Sequence, residues 1–150
     1  MSSTLYVDSL IEKTSGNGVH IPGHVLQVVQ AESNTIISTN STSTMVDSGF
    51  NCQITPKFSS SKILALVTLS NVRKTGDTVT NVRLYRNTQA VTQDIGNLDT
   101  GDSQVLTIPY AFQYLDSPAT TSQITYRIYW RGANASMYGP LHITLMEIAQ

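Results

Sequence analysis

The chain has 150 residues, enough for one domain with a real core. Apolar residues make up 40% and charged residues only 13%, about half the usual globular share of charge. The net charge of −1, from nine basic and ten acidic side chains, excludes both the basic face of a nucleic-acid binder and the high-charge, apolar-poor make-up of a disordered chain.

Polarity comes from hydroxyls and amides, since Ser and Thr fill about a quarter of the positions. With Val, Ile and Tyr these residues suit a pleated, half-buried surface. No window shows sustained 3.6-residue apolar periodicity, so helices are not expected. Strand signals recur instead, separated by Gly, Asn, Asp and Ser clusters.

The opening stretch Leu5 to Ile11 reads as short and extended. Ser15-Gly16-Asn17-Gly18 is a tight turn, because Asn-Gly supplies positive φ angles. Val19-His20-Ile21 is a second short strand, stopped by Pro22-Gly23. Residues 1–23 are too few to hold a core of their own. They form an attachment arm whose apolar residues are Leu5, Val7, Leu10, Ile11, Val19 and Ile21.

Residues 24–150 form the main domain. Val25 to Gln30 is an apolar strand, and Ile36-Ile37 and Thr42 to Val46 flank a polar turn. In Phe50 to Ile54 the alternation points Cys52 to the same side as Ile54, which favours burial. Lys62 to Leu69 is the strongest apolar run and is expected to be a central strand buried on both faces.

Gly76-Asp77 turns the chain into Thr78 to Arg86, where Val82 and Leu84 face one way and Arg83 and Tyr85 the other. A weak strand at Ala90-Val91 precedes a loop from Gly96 to Gly101. Gln104 to Ile108 and Ala111 to Leu115 form one extended stretch broken by Pro109, which marks an edge or a bulge. From Ser122 to Arg131, Ile124, Tyr126, Ile128 and Trp130 share one face, while Thr125, Arg127, Tyr129 and Arg131 share the other. The loop Gly132 to Ser136 leads to a last strand, Leu141 to Ile148.

Without helical crossovers the strands must be mainly antiparallel. The expected fold is all-β, an antiparallel two-sheet sandwich of jelly-roll type with a short extended N-terminal arm.

Catalytic chemistry finds no constellation. His20 and His24 are separated by Pro22-Gly23, so no helix presents them as a metal pair. No Gly-x-Ser-x-Gly elbow accompanies the many serines, and Asp94, Asp99 and Asp102 sit where Asp is common for its turn chemistry. The single cysteine permits no internal disulfide. The pairs Arg73-Lys74, Arg83 with Arg86 and Arg127 with Arg131 read as a solvated face or inter-strand ion pairs. The expectation is a protein that is no enzyme and uses no cofactor or metal. No signal peptide is apparent and no apolar run reaches membrane-spanning length, so neither secretion nor membrane insertion is expected. Tyr129, on the face opposite Trp130, and Asn134 in the Gly132 loop are the candidate surface-binding residues.

Two stretches carry a resemblance. The segment Leu10 to Ile21 resembles one common in tail-fibre-like proteins of marine bacteriophages, cyanophages especially. Val25 to Gln30, Ile54-Thr55-Pro56 through Lys62-Ile63-Leu64, Tyr114 to Thr121 and Ile143 to Ala149 resemble the domain that often follows it. The resemblance implies a virion structural protein made in the host cytoplasm, a homotrimer whose partners are its own copies and other capsid or tail proteins. A short fibre or a head-decorating component is expected, with a receptor- or carbohydrate-binding module against host surface glycan as the alternative.

Overall fold

The computed structural model describes residues 6–12, 16, 18–75, 79–99 and 104–150. Ten strands occur among them: β1 (Val25–Ser33), β2 (Ile37–Thr39), β3 (Val46–Ile54), β4 (Lys62–Lys74), β5 (Thr80–Arg86), β6 (Gln89–Ala90), β7 (Ile95–Leu98), β8 (Leu106–Asp116), β9 (Ile124–Arg131) and β10 (Ala135–Ile148). They build two five-stranded antiparallel sheets. Sheet A runs β1-β10-β4-β8, with β2 also on β10; sheet B runs β3-β9-β5-β6, with β7 on β5. From β2 to β5, and again from β7 to β10, each connection crosses from one sheet to the other. This wrapping is the jelly-roll arrangement.

Alternation decides the faces. On β9, Tyr126, Ile128 and Trp130 are fully buried between the sheets, and Arg127, Tyr129 and Arg131 turn outward. On β5, Val82 and Leu84 go in, while Arg83 and Tyr85 stay half-exposed. Cys52 and Ile54 are buried together. Sheet A answers with Ile63, Ala65, Val67 and Leu69 of β4 and Leu141, Ile143 and Leu145 of β10.

Pro109 lies inside β8, which pairs only with β4 and is therefore an edge strand, where a missing N–H leaves no ladder bond unmade. The expected Gly96 loop is instead part of β7. Thr80 pairs with Leu98 and Val82 with Ile95, and the Asn81 amide donates to the Gly96 carbonyl at 2.9 Å. Gly96 has φ +69°, and a Cβ there would run into the Tyr110 ring. Residues 42–44 form no strand, nor do 6–12 or 18–24, so the described part of the arm joins neither sheet as a strand. The expected turn keeps positive φ at Gly16 and Gly18; Ser15, Asn17 and the Gly76-Asp77 turn lie outside the described residues.

The expectation that β4 is buried on both faces is corrected. Its inner residues are fully buried, but Leu64 and Leu66 point to the outer side of sheet A and remain half-exposed. The sandwich covers one side of sheet A, and no strand among the described residues packs on the other.

One end of the core is polar. Gln27, Glu147, Ile63 and Asp116 form an inner row across sheet A. Glu147 is fully buried and accepts from the Gln27 side chain and from the Lys57 and Phe58 backbone N–H groups. Asp116 accepts twice from Arg86, at 2.9 and 2.7 Å, and once from the Tyr126 hydroxyl at 2.7 Å. Both carboxylates are thus satisfied, which burial of a charge demands. Tyr126→Phe should cost about 2 kcal/mol, the worth of a hydrogen bond to a charged acceptor, in urea unfolding. A loss near zero would show that Arg86 alone holds Asp116.

Candidate functional site

The two outward sheet faces differ in kind. On sheet B, Arg83 and Arg131 both reach Asp94, and Arg127 reaches Asp47 at 3.0 Å. Arg131 also donates to Asn81. Tyr85 and Tyr129 stack with ring centroids 3.9 Å apart. Every charge on this face has an opposite partner, as the spacing of the arginines predicts. This is a solvated, ion-paired surface.

The outer face of sheet A carries an apolar row across its four main strands, toward the end at which β4 begins. Register places Val28, Met146, Leu64 and Leu115 side by side on four adjacent strands. This row runs from one edge of the sheet to the other. The next row is Gln30, Thr144, Leu66 and Gln113, and the one beyond is Glu32, His142, Thr68 and Ala111. At the opposite end lie Val25, Ile148 and Lys62. Val28 is 54% and Leu115 48% exposed, while Met146, Leu64 and Leu66 are half-buried. Within these rows the formal charges are Lys62 and Glu32, near opposite ends of the strands. An uncharged apolar row bordered by amides and hydroxyls suits a protein interface.

The arm adds a second apolar surface. Val7, Leu10 and Ile11 are 56%, 57% and 84% exposed, with Tyr6 beside them. Leu5 lies outside the described residues. Val19 and Ile21 behave differently: they are half-buried in a base fastened to the domain. Gly23 donates to the Ala149 carbonyl at 2.8 Å, and Ala149 donates to the His24 carbonyl at 2.9 Å. The His20 ring stands edge-on to Phe58 at 4.8 Å, and Lys57 donates to the Gly16 carbonyl. Because Glu147 holds the Lys57-Phe58 backbone, the arm's base is tied through that buried carboxylate to the core. The free tip is what remains for a partner.

Tyr129 and Asn134 do not come together. Tyr129 lies on the outer face of sheet B. Asn134, with φ +46°, sits at a polar cleft of about 380 Å³ lined by Ser38, Thr39, Asn40, Ala135 and Ser136. The cleft arises because β2 pairs with the start of β10, a long-range pairing that local sequence does not announce. Sequence reasoning missed the outer row of sheet A, although the unbroken apolar run of β4 was its signal.

Titratable groups form no catalytic cluster among the described residues: no three His, Cys, Asp or Glu side chains converge. The Lys74 amine is buried 3.7 Å from Asp99, which is mostly exposed. Burial pushes the Cys52 thiol up, which suppresses the reactive thiolate. Burial, then the hydrogen bond to Asp116, pushes the Tyr126 phenol far above its ordinary value, and burial raises that of Tyr110. Comparison with known protein families and with curated proteins finds no match.

A folded-state phenol value above the ordinary 10.0 stabilises the protein below pH 10; that contribution is lost as pH rises further and the unfolded-state phenols ionise. In an alkaline titration Tyr126 and Tyr110 should therefore ionise together with loss of the fold, after the exposed tyrosines. Ionisation of all seven tyrosines in one step with the fold intact would contradict their burial. In the same buffer near neutrality, Cys52 should resist alkylation until denaturant is added.

Proposed function

We propose that this chain is a virion structural protein of a bacteriophage, a homotrimeric short-fibre or head-decorating component held to the particle by its N-terminal arm. The observation that carries the reading is the pair of apolar surfaces that the described residues leave uncovered: the apolar row across sheet A's outer face and the tip of the arm. A contiguous apolar patch with a polar rim marks an association site. Two such surfaces suit two partners, copies of the chain for the sheet and another virion protein for the arm. The resemblance of Leu10 to Ile21 and of the main domain to marine-phage tail-fibre-like proteins supports the setting. The core carboxylates and the buried thiol are accounted for as packing groups, so the reading assigns no catalysis and no cofactor.

Sedimentation of the purified protein tests the trimer, and deletion of residues 2–11 tests the arm. The deletion should leave the solution mass trimeric, since the base at Gly16 to Gly23 remains, while incorporation into particles is lost. A monomeric wild-type protein, or incorporation that ignores the deletion, would overturn the proposal.

A second reading, glycan binding at a fibre tip, is favoured by the hydroxyl- and amide-lined cleft at Asn134 and by the outward Tyr85–Tyr129 stack. Asn134→Ala, or Tyr129→Ala if the stack is the platform, should then abolish binding on a glycan array. No glycan bound by wild-type protein would remove this reading.

A further inference from the structure

We propose that the outer face of sheet A is the subunit contact, with a second copy of this chain as its occupant. In this arrangement the apolar row Val28–Met146–Leu64–Leu115 closes into a ring of three copies, Leu115 of one against Val28 of the next. The inference rests on the trimer reading above and names the surface and geometry it would use.

Three observations lead there. First, the face has the right size. Its four main strands have 9, 14, 13 and 11 residues; at about 3.3 Å per residue and about 4.8 Å between strands, the face covers on the order of 700 Å². One partner in a standard stable interface contributes about 800 Å².

Second, the two ends of the apolar row, and of the row next to it, complement each other. The apolar row ends in Val28 on β1 and Leu115 on β8, the most exposed side chains in it. The next row ends in Gln30 and Gln113, both exposed. Copies set side by side at the same height, around an axis along the strands, bring Leu115 to Val28 and Gln113 to Gln30. Apolar meets apolar and amide meets amide, which can donate and accept at once. The β1 end and the β8 end are different surfaces, so the contact is head-to-tail, and a 120° rotation between copies closes it into a ring of three.

Third, the formal charges stand apart along the strands: Lys62 near one end, Glu32 three rows away and Arg73, bonded to the Tyr138 hydroxyl, toward the other end. Between Lys62 and Thr68 the two middle strands turn Leu64, Leu66, Thr144 and Met146 to the axis. The ion-paired face of sheet B is then left toward solvent. The exposed apolar arm tip is not consumed by this contact and stays available to a different partner.

The test uses the full chain. Native mass spectrometry and sedimentation compare wild type with Leu64→Gln, with Leu115→Gln and with a sheet B control, Gln53→Glu. Leu64 and Leu115 both point away from the core, so their variants should keep the wild-type circular dichroism. Each should weaken trimer formation by roughly 30-fold or more, as loss of a central contact residue does, and the control should not. Oxidative footprinting gives a reading free of substitution: Met146 should be protected in the wild-type trimer at a concentration where Met45 is modified, and exposed on dilution.

A wild-type monomer overturns both this inference and the trimer reading. A wild-type trimer whose mass and dissociation ignore both variants, with Met146 freely oxidised, overturns the face assignment alone. A two-copy assembly, or protection of Met146 only inside particles, overturns it as well, by making the occupant a two-fold mate or another virion protein.

Discussion

Strand β4 carries apolar side chains on both of its sides, and a two-sheet sandwich can bury only one of them. The rest of the structure is arranged around that constraint. Ile63, Ala65, Val67 and Leu69 fill the space between the sheets, and β4 sits between β10 and β8 so that its backbone is fully paired. Leu64 and Leu66 are left on the far side. Antiparallel sheets normally show water a polar face. Sheet B does so, with paired arginines and aspartates. Sheet A does not, and on the proposed reading this difference between the two outer faces sets the direction of assembly.

The same logic places the ends of the chain. Glu147 is a charge in the core, tolerated because the Gln27 amide and two backbone N–H groups surround it. Those N–H groups belong to the loop on which His20 and the Gly16 carbonyl rest. The C-terminal strand, the 57–58 loop and the base of the arm are therefore one mechanical unit. The arm is thus fastened at its base and apolar at its tip.

Much of this was legible from local pattern. The clean alternation of β9 separated Tyr129 from the buried Trp130 face, Pro109 marked an edge or a bulge and sits on an edge strand beside a register shift, and the arginine pairs, legible as a solvated face or inter-strand ion pairs, form ion pairs on the outer face of sheet B. What escaped was set by residues far apart in the chain. β7 contains Gly96 and Asn97, poor strand formers; it forms because β5 offers a ladder and Tyr110 packs against Gly96. The carboxylates of Asp116 and Glu147 find partners up to 120 positions away. Two-sided burial of β4 was read from a genuine signal, but the second cover was placed inside the protomer. Tyr129 and Asn134, close in sequence, lie on different surfaces because β10 joins the other sheet.

The central claim is an orientation: sheet A faces inward and sheet B faces water in the assembled protein. Electron cryomicroscopy of the assembled chain at side-chain resolution tests it most directly. The account predicts three copies with Leu64 and Met146 turned to the axis and the Arg83–Asp94–Arg131 cluster on the outside. A map with the sheet B face at the axis, or with the outer face of sheet A open to solvent, would contradict it.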